Sequence, residues 1–159
     1  MARKRLTYKE GDWFAVPLRS GGFAVGVAAR IDRRGGMIAY FFGPKRTVVP
    51  SIDELALVPT DAILVRHCGD LGLLEGTWPV VGSRSDWNRA SWPIPAFGRV
   101  EPLGDRAWRV EYSEDDLNAP TRESRVSLDE AESLPKNGVL GAGAAERLLT
   151  HLLGEWPNA

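Results

Sequence analysis

Apolar and polar positions alternate in short runs through the first half of the chain. Gly11-Asp12 opens the run Trp13-Phe14-Ala15-Val16-Pro17-Leu18, and Ser20-Gly21-Gly22 interrupts it. Phe23-Ala24-Val25-Gly26-Val27-Ala28-Ala29-Arg30-Ile31 follows, then the turn signal Arg33-Arg34-Gly35-Gly36, then Met37-Ile38-Ala39-Tyr40-Phe41-Phe42. Three β-prone runs joined by Gly-bearing turns predict a meander. Pro17 has no N–H to donate to a ladder, so the first strand ends or forms an edge there. Gly26, inside the second run, predicts a bulge or a sharp bend.

The same logic extends down the chain. Residues 62–68 read as a strand, residues 51–57 as a short helix or turn, and residues 77–82 and 97–100 as short extended pieces. Between Ala107 and Tyr112 the alternation is clean: Trp108, Val110 and Tyr112 face one way, Arg109 and Glu111 the other. Only the end of the chain carries a long helical rhythm. Ala145, Leu148, Leu149, Leu152, Leu153 and Trp156 fall at i, i+3, i+4 spacing, with Gly154 and Pro157 as stops. A shorter helix starts at Ser127, where Ser127 and Glu130 have capping-box spacing, and ends at Pro135. The pattern predicts a mainly β, β-rich α+β fold. It would be a small twisted antiparallel sheet or partly closed barrel with a C-terminal helix. Residues 1–159 are expected to form one domain, with the sheet core at about 9–113 and the helix at about 142–154.

Composition narrows the class. A chain of 159 residues with 43% hydrophobic and 26% charged positions is an ordinary globular domain. At this length roughly 70% of the unfolded surface can be buried, so no metal or disulfide is needed for folding. Cys68 is the single cysteine, which excludes an intramolecular disulfide and fits a reducing, cytoplasmic setting. The basic start Met-Ala-Arg-Lys-Arg lacks the apolar stretch of a secretory signal, and no run of apolar residues is long enough to span a membrane.

The net charge is −1, but it is unevenly spread. Residues 1–46 hold ten Lys/Arg against three Asp/Glu, and residues 101–159 hold six against twelve. Either a basic and an acidic edge pack near each other, or one of them faces a partner of opposite charge.

No constellation of residues points to catalysis. His67 and Cys68 are neighbours on a strand, so their side chains face opposite ways and cannot pair. His151 lies on the polar side of the last helix; a core cysteine and ordinary histidines are the simpler account. One Cys and two His are too few for a structural zinc site. Glu114-Asp115-Asp116 lacks the Gly and bidentate Glu of a calcium loop and reads as a solvated acidic turn. Gly138-Val139-Leu140-Gly141-Ala142-Gly143 superficially resembles a dinucleotide loop, but Glu146 stands where the third Gly belongs and no βαβ unit surrounds it. No cofactor and no metal are expected. The basic set Arg3, Lys4, Arg5, Lys9, Arg19, Arg30, Arg33, Arg34, Lys45 and Arg46, with Trp13, Phe14, Tyr40 and Phe42, could serve a nucleic acid. Those aromatics are better used in the core, and the pI of about 6.1 argues against a nucleic-acid partner. Of the six tryptophans, Trp78, Trp87 and Trp92 lie in the Pro/Gly-rich middle. They either cover the open end of a barrel or anchor a partner.

The stretch Gly11-Asp12-Trp13-Phe14-Ala15-Val16-Pro17-Leu18 is followed by Gly21-Gly22-Phe23-Ala24-Val25-Gly26-Val27. Farther on come Trp78-Pro79-Val80-Val81-Gly82 and Pro95-Ala96-Phe97. Over residues 9–100 this order and spacing resembles the immunity protein 26 family of bacterial polymorphic toxin systems. The resemblance implies a β-rich fold and a non-enzymatic protein that binds and blocks a cognate toxin, often a nuclease, in the cytoplasm. The alternative is an SH3-like or related barrel that binds nucleic acid or a peptide. A basic, phosphate-seeking toxin would be met by acidic groups. The expected contact residues are therefore Glu111, Glu114, Asp115 and Asp116, with Trp87 as an anchor. The pattern sets no oligomeric state.

Overall fold

The fold is described from a computed structural model, over residues 7–32 and 34–154. Arg3, Lys4, Arg5, Arg33, Trp156 and Pro157, named above, lie outside the described residues. The strands are β1 (Asp12–Pro17), β2 (Phe23–Ile31), β3 (Gly36–Arg46), β4 (Leu64–Gly69), β5 (Val80–Ser83), β6 (Phe97–Val100), β7 (Ala107–Ser113), β8 (Asp116–Val126) and β9 (Val139–Leu140). The helices are α1 (Leu71–Glu75), α2 (Leu128–Ser133) and α3 (Ala142–Gly154).

The three leading runs form the meander that their alternation predicts: β1 pairs with β2 and β2 with β3, both antiparallel. The chain extends this into a six-stranded sheet in the order β5-β1-β2-β3-β4-β9, and β6-β7-β8 form a second, three-stranded sheet. β9 joins β4 in parallel, so the large sheet is mixed rather than purely antiparallel. Its end strands do not meet, so it is open and no barrel closes. Closure is unnecessary because both faces of the sheet are covered by other elements.

Side chains divide between those faces with the period of two that a pleated strand imposes. Phe14, Val16, Ala39, Phe41 and Cys68 point to one layer, where they meet Leu73 of α1, Trp78, and Ala145, Leu149 and Leu153 of α3. Trp13, Val25, Val27, Ile38, Tyr40 and Phe42 point to the other, where they meet Leu55, Trp92, Phe97 and Leu117. α3 thus lies across one face of the sheet with its Leu stripe. Trp78 likewise belongs to the first layer and Trp13, Trp87 and Trp92 to the second.

Gly26 departs from its expected role. The register shifts of β2 fall between Phe23 and Val25 and between Ala28 and Arg30, not at Gly26. A Cβ at Gly26 would come within 2.7 Å of the Phe14 ring. Glycine is there to let the Phe14 and Phe41 rings, edge to face at 6.0 Å, close over the strand. Pro17 ends β1 as predicted, and Ser127 caps α2 by accepting from the Glu130 N–H at 3.1 Å.

The large sheet also carries a buried polar seam. Tyr8 Oη donates to Asp70 Oδ2 at 2.7 Å. His67 Nε2 lies 2.9 Å from Asp32 Oδ2, and Asp32 Oδ1 accepts from the N–H groups of Arg34 and Gly36. Burial raises the Asp32 pKa, but the hydrogen bonds from His67, Arg34 and Gly36 outweigh it and hold the carboxyl below its ordinary range. Asp32 and Asp70, both taken out of water here, are each matched by a hydrogen-bond partner, as a low-dielectric interior requires.

Candidate functional site

The β7–β8 hairpin presents the acidic turn. Ser113 pairs with Asp116, which leaves Glu114 and Asp115 as the connecting residues. This is the exit turn expected after Tyr112, but its carboxylates are not equivalent.

Glu114 is held in place. Arg30, 2% exposed, donates from Nε to Glu114 Oε1 at 3.0 Å and also from Nη2. Arg89 Nη1 reaches Glu114 Oε2 at 3.1 Å. Arg30 is itself fixed by donating from Nη1 to the Ala29 carbonyl at 2.6 Å and from Nη2 to the Arg89 carbonyl at 3.3 Å. The hydrogen bond from Arg30 keeps the Glu114 carboxyl below the usual carboxylate range. Glu114 therefore ties the outer hairpin to the central sheet.

Asp115 and Asp116 are exposed and take part in no ion pair among the described residues; Asp116 Oδ1 accepts from the Asn118 N–H at 2.9 Å. With Asp32, Arg34 and Leu117 they border a concavity of about 550 Å3. Glu111 stands apart on β7, 3.8 Å from Arg109 Nε and 3.9 Å from Arg122 Nε, too far for strong pairing. Of the four acidic residues expected at a contact, three meet at the hairpin turn, and two of those three have uncommitted charge.

Trp87 belongs to a second feature, an aromatic groove. Its ring stacks on Trp92 with centroids 5.6 Å apart and planes 23° apart. Trp92 meets Trp13 edge-on at 5.8 Å. Leu57, Val58 and Pro59 form the facing wall, and the space between is about 220 Å3. Arg89 links the two features, since it follows Trp87 by two residues and pairs with both Glu10 and Glu114.

The remaining candidates resolve into structure. Cys68 is fully buried in the layer under α3, and burial pushes its thiol up to about 12, so it is not a nucleophile at neutral pH. His67 is held by Asp32. Among the described residues, no group of three or more His, Cys, Asp or Glu is arranged to hold a metal. No helix there is long and apolar enough to cross a membrane. The aromatics offered for base stacking, Trp13, Phe14, Tyr40 and Phe42, are all buried in the core. Of the basic set, Lys9 pairs with Asp12, Arg19 with Glu146 and Arg30 with Glu114.

Sequence reasoning did not single out Arg89 or the groove built by Trp13, Trp92 and the 57–59 segment, and it placed Arg30 only in the basic set. One signal was available. Arg30 is the single charge inside the apolar run of β2, and a buried arginine needs a carboxylate somewhere. The groove had no such signal, because three separate segments build it.

Residues 9–109 of the chain match the family model described as Immunity protein 26. No curated protein and no solved structure matches it.

Proposed function

Since the chain belongs to the immunity protein 26 family, we propose that it binds and neutralises a cognate bacterial toxin by stoichiometric contact, without catalysis, in the cytoplasm of the producing cell. The family match over residues 9–109 carries this reading. The surface is compatible with it. An immunity protein needs a stable scaffold and a displayed set of contacts, and the doubly covered sheet and the hairpin beside the aromatic groove supply these. Asp115 and Asp116, exposed and without an ion pair among the described residues, offer negative charge to a basic toxin such as a nuclease and speed encounter by steering.

The test is co-expression with the product of the neighbouring gene, carried as a catalytically inactive variant. A complex of fixed stoichiometry, together with rescue of growth when the active form is induced, is the expected result. If the neighbouring product is not toxic, or forms no complex, the immunity reading fails. Salt-dependent binding to single-stranded and duplex probes would then be measured.

A further inference from the structure

Resting on the toxin-binding reading, we propose that the groove between Trp87, Trp92 and the 57–59 segment is a socket for one neutral side chain of the toxin, aromatic or aliphatic. Three observations lead there: its size, its walls and its charge balance.

At about 220 Å3 the groove is smaller than the roughly 300–1,000 Å3 typical of small-molecule and cofactor sites. It is the scale of one large side chain. Such a side chain, buried at the centre of an interface, is what carries most binding energy in protein complexes.

The walls are held in place before any guest arrives. Gly11 has φ +89°, and a Cβ there would come within 2.9 Å of Trp87 Cγ. The Trp87 indole thus lies directly over the entry to β1, a position that any other residue at 11 would obstruct. Arg84 Nη1 donates to the Ile52 carbonyl at 3.1 Å, and Asn88 Oδ1 accepts from the Ala90 N–H at 3.1 Å. These bonds fix the loop that carries Trp87. A preformed socket avoids the ordering cost that weakens flexible sites. Val58 at its mouth is 51% exposed, so apolar surface waits in water at a place already shaped to cover it.

The two charges at the rim are paired with each other. Arg84 grips Asp86 with Nε–Oδ1 at 3.0 Å and Nη2–Oδ2 at 3.2 Å. A toxin Arg or Lys would find Asp86 occupied, and a phosphate would find Arg84 occupied. A charged guest would have to compete with that exposed fork, whereas a neutral one would not. A neutral side chain buries apolar area against the indoles and leaves the rim pair in water. The division of labour then follows: Asp115 and Asp116 attract the toxin, and the groove holds it.

The test uses two variants at exposed positions lining the groove, Val58→Glu and Ala56→Trp, which charge and fill it while leaving the core intact. Unchanged melting temperatures verify the fold. Affinity for the inactivated product of the neighbouring gene is expected to fall at least ~30-fold in each, as for a central anchor. If the native protein binds and both variants bind equally well, the socket is overturned while the immunity reading stands. If the native protein forms no complex, the immunity reading falls and the socket is judged on its own by titrating N-acetyl-tryptophanamide, N-acetyl-leucinamide and N-acetyl-argininamide. Shifts of the Trp87 and Trp92 indole N–H resonances with the first two but not the third, abolished in Ala56→Trp, support an apolar socket. No shifts, or equal shifts with all three, overturn it.

Discussion

The central six-stranded sheet and the outer three-stranded sheet obey the same alternation of side chains, yet their polar residues mean different things. In the central sheet both faces are covered, and three of its buried charged groups are locked: Asp32 by His67, Asp70 by Tyr8, Arg30 by Glu114. In the outer sheet, β8 buries Leu117 and leaves most of its other residues in solvent. Carboxylates such as Asp115 and Asp116 therefore keep their charge for something else. Cover decides whether a charge holds the fold together or is displayed to a partner.

Truncating matched positions in the two regions should break the comparison most visibly. Phe14 stacks on Trp78 at 5.7 Å and meets Phe41 edge-on. Phe14→Ala is expected to cost about 3–5 kcal/mol in urea unfolding. Leu103, fully exposed at the turn between β6 and β7, should change by less than about 0.5 kcal/mol as Leu103→Ala. Equal losses would show that burial does not set the cost of truncation in this protein.

Asp32→Asn tests the buried seam, with an expected loss of about 1.5–3 kcal/mol at neutral pH. The folded carboxyl lies below its ordinary value of 3.8. Its contribution is therefore complete above that value and is lost as pH falls through the lower folded value. The gap between variant and native protein should close in acid. A gap that does not change with pH would mean that the charge of Asp32 is immaterial.

Arg30→Met cuts the tie between the regions. About 1–2 kcal/mol is expected, because Glu114 regains water while the Ala29 carbonyl loses a donor. The sharper readout is hydrogen exchange, which should quicken at residues 113–117 and stay unchanged in β2 and β3. The smallest effect on folding belongs to Asp115→Lys with Asp116→Lys. Stability should move by no more than about 0.5 kcal/mol, whereas association with a basic toxin should slow, most at low salt. Unaltered association rates would remove these residues from the contact.

Much of the architecture was legible because it rests on local pattern. The runs at 13–18, 23–31 and 37–42 became β1 to β3 with shifts of a few residues at their ends, and the helix expected at about 142–154 is α3. Both carry strong periodicity. β8 was missed because its exposure on both faces erases the period-two signal and Pro120 interrupts it. β9 has two residues, too few for any pattern. The acidic turn was legible as a turn, since β7 alternates up to Tyr112 and three acidic residues follow.

The sequence by itself determined that the runs at 13–18, 23–31 and 37–42 become strands, that the Leu stripe near the end becomes a helix, and that Cys68 and His67 face apart. These follow from backbone geometry, which acts over a few residues. Only the tertiary structure decided that the sheet stays open under two covering layers. It also decided that Glu114 is bound by an arginine 84 positions away, and that Trp13, Trp87 and Trp92 converge on one groove. Those outcomes depend on which surfaces exclude water from one another. That is settled between distant segments, where no local period records it.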